Sequence, residues 1–249
     1  VSADPPRSSP APGQPDPGRG PSTDQGSDPE PRPGARAASG GPEPGPLVIG
    51  VLGGIASGKS AAARLLAGAD GAVIDADALA HAVLSSDAVT ALVAERFGPA
   101  ALGADGRPDR AALARIVFED AGARADLEGW IHPRVRARIR AALEEAHAKT
   151  VVVLDVPLLL ENDPVHHLRE RCDALVYVDA PLDRRTARAV ATRGWSEDEV
   201  ARREASQLSQ DAKRAAADHV VANDADLDAL AERCAALRAR LLAERRDRS

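Results

Sequence analysis

Apolar residues along this chain gather in five short runs, at positions 47–52, 72–75, 151–156, 174–179 and 219–222, separated by longer stretches whose polar and apolar positions mix with helical spacing. Runs such as Val151-Val152-Val153-Leu154 lack the polar alternation of a half-exposed strand, so they predict strands covered on both faces. Strands alternating with helices predict an α/β fold, a parallel five-stranded sheet wrapped by helices. From 88 to 148 the pattern is helical, broken by a turn at Asp105-Gly106-Arg107-Pro108, with Asp109 as a helix N-cap. His132-Pro133 is expected to interrupt this region as a kink or a helix start, because proline removes a helix donor and restricts the residue before it. A polar helix is expected after Glu161. Between the fourth and fifth runs the pattern predicts a pair of helices. The first carries Arg184, Arg185, Arg188 and Arg193, and the second opens on the capping box Ser196-Glu197-Asp198-Glu199 and carries Arg202, Arg203, Gln207, Lys213 and Arg214. An amphipathic helix from about position 226 closes the chain.

The first run leads into Gly53-Gly54-Ile55-Ala56-Ser57-Gly58-Lys59-Ser60 and then a helical segment, which is the G-x-x-x-x-G-K-S phosphate-binding loop between strand and helix. Glycines accept the backbone angles that let successive N–H groups converge on a phosphate at the positive end of a helix. Lys59 then reaches the β- and γ-phosphates, and the Ser60 hydroxyl is placed to ligate Mg²⁺. The loop predicts a P-loop NTPase that binds a nucleoside triphosphate.

Two further strand ends carry acids. Asp75-Ala76-Asp77 closes the second run and Asp155 lies near the end of the third, where an α/β sheet holds its ligands. One of Asp75 and Asp77 is expected to cap the following helix while the other accepts the proton of an acceptor hydroxyl. Asp155 is similar to a Walker-B carboxylate able to hold a magnesium-bound water. The helices after the fourth strand are placed to act as a lid, with a few arginines meeting the transferring phosphoryl group and the rest solvated. Of Arg134, Arg136, Arg138 and Arg140, most must be solvated, since alternate positions cannot share one helix face.

Composition bounds the rest. Residues 1–46 hold 13 of the 19 prolines and 8 of the 20 glycines in a 249-residue chain, so they predict a disordered Pro/Gly-rich tail before one domain at 47–249. The formal charge of −6 argues against a large nucleic-acid surface. No apolar stretch has the length of a membrane span or the form of a signal peptide, and two cysteines are too few for a disulfide framework or zinc site; both point to a cytoplasmic protein. A chain with no Met that opens on Val leads us to expect an alternative start codon, or a start assigned upstream of the true one. A monomer or small homo-oligomer is expected. Of the 32 basic residues only Lys59, Lys149 and Lys213 are lysines, and one of the three is the loop lysine.

The ordered set of the loop, Asp75-Ala76-Asp77, Phe97-Gly98, Asp109 to Leu113 with Ile116-Val117-Phe118, Ile131-His132-Pro133, Val156-Pro157-Leu158-Leu159 with Glu161, Arg203 with Gln207, and Lys213-Arg214 with Ala217-Asp218 resembles the dephospho-coenzyme A kinase family. The resemblance spans about 47 to 223. It implies a nucleotide-kinase-like sheet with a helical acceptor-binding region and a lid at about 182–215. It also implies that ATP, with Mg²⁺, phosphorylates the ribose 3′-hydroxyl of dephospho-CoA. Carried over, it implies ATP contacts from Gly54 and from Ala56, Ser57, Gly58, Lys59, Ser60 and Ala61. Asp77 would be the base, Arg188 would meet the phosphates, His132 and Arg136 would lie on the acceptor side, and Ser60 and Asp155 would hold the metal. Ala56 stands where the family often has Gly, which suits a negative φ, and His81 replaces a usual arginine. Another small-molecule or nucleoside-monophosphate kinase would share the loop and lid but not the acidic, His-Pro and Val-Pro-Leu-Leu motifs in this order, and a nucleotide-gated binding module without chemistry is the non-enzyme alternative.

Overall fold

The computed structural model describes residues 45–248. The expected disordered tail lies outside the described residues except for Gly45 and Pro46, whose carbonyls accept from Arg245. Five strands form one parallel sheet: β1 (Leu47–Gly53), β2 (Ala72–Asp75), β3 (Val151–Asp155), β4 (Ala174–Asp179) and β5 (His219–Ala222), in the order β2-β3-β1-β4-β5. The first links run to one side of β1 and the link from β3 to β4 crosses to the other, so the switch point where α/β sheets bind ligands falls at the carboxyl end of β1.

The period of two along each strand explains the two buried faces. Leu47, Ile49, Val51, Val151 and Val153 face α1 (Lys59–Ala67) and the closing helix, while Leu52, Val152, Leu154 and Tyr177 face the other layer with Ile139, Leu159 and Leu168. Gly50 has no room for a side chain, since a Cβ there would fall 2.7 Å from Leu175 Cδ2 and 2.9 Å from Cys172 Sγ. Both cysteine thiols lie in these layers; burial pushes Cys172 up to about 12 and Cys234 up to about 11.

A second, smaller core joins α2 (Ala76–Leu84), α3 (Asp87–Phe97), α4 (Arg110–Glu119) and α5 (Ala121–Glu145) through Val83, Val89, Val93, Leu113 and partly buried Trp130. Asp109 caps α4 as expected, accepting from Ala111 N at 2.8 Å and Ala112 N at 3.2 Å. The break expected at His132-Pro133 does not occur, for α5 runs through Pro133. The carbonyl that proline leaves unpaired belongs to exposed Gly129, where water can meet it and no Cβ crowds the ring, and both flanks are packed, Leu127, Trp130 and Ile131 in the smaller core and Ile139 against the sheet.

The polar helix expected after Glu161 is a single turn, α6 (Asp163–His166). The pair expected after β4 is three helices: α7 (Leu182–Arg193), α8 (Glu197–Ala205) and α9 (Gln210–Ala215). Ser209 starts a new helix by accepting from Ala212 N at 3.1 Å, which separates Lys213 from α8. Ser196 caps α8, its Oγ accepting from Glu199 N at 3.2 Å, but the Glu199 carboxylate pairs with Arg202 and Arg203 and does not complete the box. Ala189 and Val200 of this segment pack on Ile55 of the loop, and the guanidinium groups of Arg193 and Arg203 lie over the Trp195 ring, 4.8 and 4.3 Å from its centre. The closing helix is α10 (Leu227–Arg248). No single helix among the described residues is long and apolar enough to cross a membrane.

Candidate active site

At the carboxyl end of β1 the chain turns through the glycine loop into α1, and a cavity of about 420 Å³ opens over it. Gly58 caps α1 at φ 92°, a left-handed backbone that glycine adopts without steric cost, and Ala62 N donates to its carbonyl at 3.0 Å. Ala56, Ser57, Gly58, Lys59, Ser60 and Ala61 all line the cavity. Gly54 does not; a Cβ there would point at Arg185 and Gln210, behind the loop.

Lys59 bends back over the loop, donating to Gly53 O at 3.0 Å and Gly54 O at 2.8 Å. Burial lowers its ammonium to about 8; the nearby Asp155 opposes the shift, while Lys213, Arg193 and Arg185 reinforce it. An ammonium held this low is poorly compensated, and a polyphosphate would supply the missing charge. Nucleotide binding should therefore weaken as pH rises through about 8, with proton uptake on binding near that pH. Calorimetry in two buffers of different ionisation enthalpy measures that uptake, which should vanish at pH 6.

Two buried polar atoms at this cavity have no partner in the protein, Ser57 Oγ and Arg188 Nη1. Such groups cost free energy unless a ligand meets them. Arg188 is tied by its other nitrogen to Asn223 Oδ1 at 3.4 Å, and Asn223 Nδ2 donates to Ser57 O at 2.7 Å. Asn223 is 5% exposed and closes β5, so it pins both the loop and the arginine over it.

The acids stand opposite. Asp75 and Asp155 are register partners at the ends of β2 and β3, and Asp155 is 7% exposed. Asp75 Oδ1 accepts from Ala78 N at 3.0 Å and so caps α2, and both Asp75 and Asp77, the latter in the first turn, line the cavity. Partial withdrawal from solvent, then the charges of Asp75 and Asp155, raise the Asp77 carboxyl above its ordinary range. Ser60 and Asp155 offer the oxygen donors that a hard divalent cation such as Mg²⁺ prefers, with phosphate and water to complete its shell. On that donor chemistry the residues fit the metal.

A profile described as dephospho-CoA kinase matches residues 47–229, which include every strand and the loop. The chain belongs to the dephospho-CoA kinase family. The dephospho-CoA kinase of Thermobifida fusca is 42% identical over 188 residues, covering 74% of this chain and 92% of that one. That of Dechloromonas aromatica is 43% identical over 182 residues, covering 72% and 86%. Among solved structures, a Thermus thermophilus protein superposes with TM-score 0.66 at 38% identity, covering 80% of this chain and 98% of that one. The Campylobacter jejuni dephospho-CoA kinase, at 23% identity and TM-score 0.56 over 77% of this chain and 95% of its own, shares the fold.

Within this family frame, His132 and Arg136 are not walls of the cavity. They lie one turn apart on α5, where Arg136 Nη1 is 3.2 Å from His166 Nδ1 and the His132 and His166 rings meet edge to face at 5.8 Å. Ala56 also departs from expectation, for its φ is +54°, not negative. Packing of Ala56 under the α7–α8 hairpin with Ile55 and Trp195 holds it there. A non-glycine residue in the left-handed region costs about 1 kcal/mol, so Ala56→Gly is expected to raise stability by several tenths to about 1 kcal/mol in urea unfolding.

Sequence reasoning passed over Lys213, Glu161 and Asn223 as site residues. Lys213 is 4% exposed, 3.0 Å from Glu161 Oε1 and 2.8 Å from Gln207 Oε1, and all three line the cavity. A signal was present: in a chain that writes nearly all its cations as arginine, two of the three lysines stand at this cavity.

Proposed function

We propose that this chain transfers the γ-phosphoryl group of ATP to the ribose 3′-hydroxyl of dephospho-CoA, giving CoA and ADP. The observation that carries the reading is one cavity with the loop and its cations on one side and Asp77 on the other, in a chain of the dephospho-CoA kinase family. In the transfer the bond from the acceptor oxygen to γ-phosphorus forms as the γ-phosphorus to β-bridging-oxygen bond breaks, and the hydroxyl proton passes to a carboxylate.

Each residue then has a task. The loop N–H groups and Lys59 hold the β- and γ-phosphates, with Ser57 and Arg188 meeting the phosphates through the two atoms that lack partners. Asp77 orients the hydroxyl and takes its proton, while Asp75 keeps the helix start in place as its cap. Ser60 and Asp155 would hold Mg²⁺, which when bound neutralises phosphate charge. The α7–α9 segment covers the nucleotide and limits water, which would otherwise compete as acceptor. His132 and Arg136, on α5 beside His166, are assigned to the acceptor side, where they approach substrate from outside the cavity described. The 47–249 region acts as the kinase domain, and a cytoplasmic location follows from that role.

The test is ADP release with dephospho-CoA, AMP and adenosine as acceptors. Strong preference for dephospho-CoA is expected, and preference for AMP would replace the reading with a nucleoside-monophosphate kinase. Arg188→Ala should depress kcat more than it raises the acceptor KM, because an arginine over the phosphates acts on charge that develops in the transition state. Steady-state kinetics with varied dephospho-CoA check this, and an altered KM at unchanged kcat would move Arg188 out of the phosphoryl site.

A further inference from the structure

Behind the phosphate-binding loop lies a buried polar cluster that the transfer reaction does not use. Arg185, in the first turn of α7, is 6% exposed, and its Nε donates to Ala180 O at 3.0 Å. Its Nη1 donates to Glu204 of α8. Gln210, the first residue of α9, donates to the same Glu204 oxygen at 3.5 Å, and Tyr177 of β4 donates to Gln210 Oε1 at 3.1 Å. Each of the three helices after β4 thus contributes one side chain to a single knot.

The knot abuts the loop at Gly54. A Cβ on Gly54 would lie 2.6 Å from Arg185 Nη1, 3.0 Å from Arg185 Cζ and 3.0 Å from Gln210 Nε2. Gly54 does not hold a left-handed backbone, so its lack of a side chain answers to this close approach and not to its φ. On its other side the Gly54 carbonyl accepts from Lys59 Nζ at 2.8 Å, and Ser57 N donates to the same carbonyl at 3.2 Å. Whatever fixes Gly54 therefore fixes the oxygen on which the loop and its lysine both register.

We propose that Arg185 and Glu204, with Gln210, form a wedge that sets the position of Gly54, so that Arg185 is a positioning residue for ATP binding and ties the α7–α9 segment to the loop. The pair is a costly way to fill this space, since apolar side chains of similar volume often stabilise a fold as well as a buried ion pair does. A guanidinium held on two sides is stiffer than a methionine, and stiffness is what a phosphate grip requires.

The inference rests on the loop as an ATP grip, and a double-mutant cycle read by ATP-binding calorimetry tests it. The variants are Gly54→Ala, the pair Arg185→Met with Glu204→Met, and all three together. The methionine pair should keep its thermal midpoint within about 3 °C of wild type yet bind ATP roughly three- to tenfold more weakly. Gly54→Ala alone should weaken ATP about tenfold or more, but by no more than about threefold in the methionine background, where a flexible side chain yields to the new methyl group. Equal losses from Gly54→Ala in both backgrounds, or wild-type ATP affinity in the methionine pair, would overturn the wedge. If the methionine pair fails to fold, Arg185→Lys replaces it, since lysine keeps a charge for Glu204 while withdrawing the planar fork from Gly54. Because the readout is ATP affinity, the cycle decides the wedge whether or not dephospho-CoA proves to be the acceptor.

Discussion

Lys59→Ala is expected to lose a hundredfold or more in turnover without losing thermal stability. In the proposed reaction the ammonium acts on the phosphates from a cavity that residues of α7 and α9 help to line, where removing one such donor costs about 3 kcal/mol of transition-state stabilisation, a factor of roughly 10² in rate. The stability half follows from the sign of its shift. Burial lowers the Lys59 ammonium from 10.5 to about 8, so at neutral pH the fold holds a charge that it disfavours. Alanine removes that cost along with the two tethers to Gly53 O and Gly54 O, and these changes oppose each other. The thermal midpoint at pH 7 should stay at or above that of wild type, and any stability advantage of the alanine variant should shrink above pH 8, where wild-type Lys59 is neutral. Kinetics paired with thermal melts at pH 7 and pH 9 check both halves; a variant that transfers phosphate at near wild-type rate would remove the loop from the reaction.

Asp77→Asn carries the second large effect. Asparagine keeps the size and can still orient a hydroxyl, but it cannot take the proton, and a positioned base contributes on the order of 10²- to 10⁴-fold. ATP binding, measured by calorimetry, should be retained. The carboxyl is raised by partial burial and by Asp75 and Asp155, so the acidic limb of the wild-type kcat/KM profile, which reports the free enzyme, should be displaced upward from the ordinary carboxylate position. Activity should fall as pH drops through it. A raised acid is one whose charged form the fold disfavours, so the asparagine variant should melt no lower than wild type at pH 7. Full activity in Asp77→Asn would make Asp75 the base, and Asp75→Asn would then be the variant that loses turnover; that substitution also weakens the cap on Ala78 N.

Much of this architecture could be read from residue order. The five apolar runs become the five strands almost to the residue, because an unbroken run of β-branched side chains fits only a strand covered on both faces. Asp109 and Ser196 appear as caps, since a local side-chain-to-backbone bond needs no knowledge of the rest of the chain. What sequence could not supply is set by neighbours distant in the chain. Pro133 stays inside a helix because the residue four positions earlier is an exposed glycine and because Leu127, Trp130 and Ile131 before it and Ile139 after it are packed into cores. Ala56 holds a positive φ because Ile55 and Trp195 pack around it. Asn223 reaches the loop across 166 positions, and no local pattern announces such a contact. The arginines of α7 look alike in sequence, yet Arg185 is buried behind the loop, Arg188 leans over it and Arg184 reaches out to Ala225 O.

The two thiols, raised to about 12 and about 11 by burial, have a practical consequence for watching this molecule move. The reactive species in alkylation is the thiolate, so at neutral pH both native cysteines are all but inert to maleimide or iodoacetamide reagents. A single new cysteine at an exposed position of the α7–α8 hairpin, such as Arg202→Cys, would carry a dye or spin label selectively. Neither native cysteine would have to be replaced, and the one side chain lost is Arg202, whose partner Glu199 keeps Arg203.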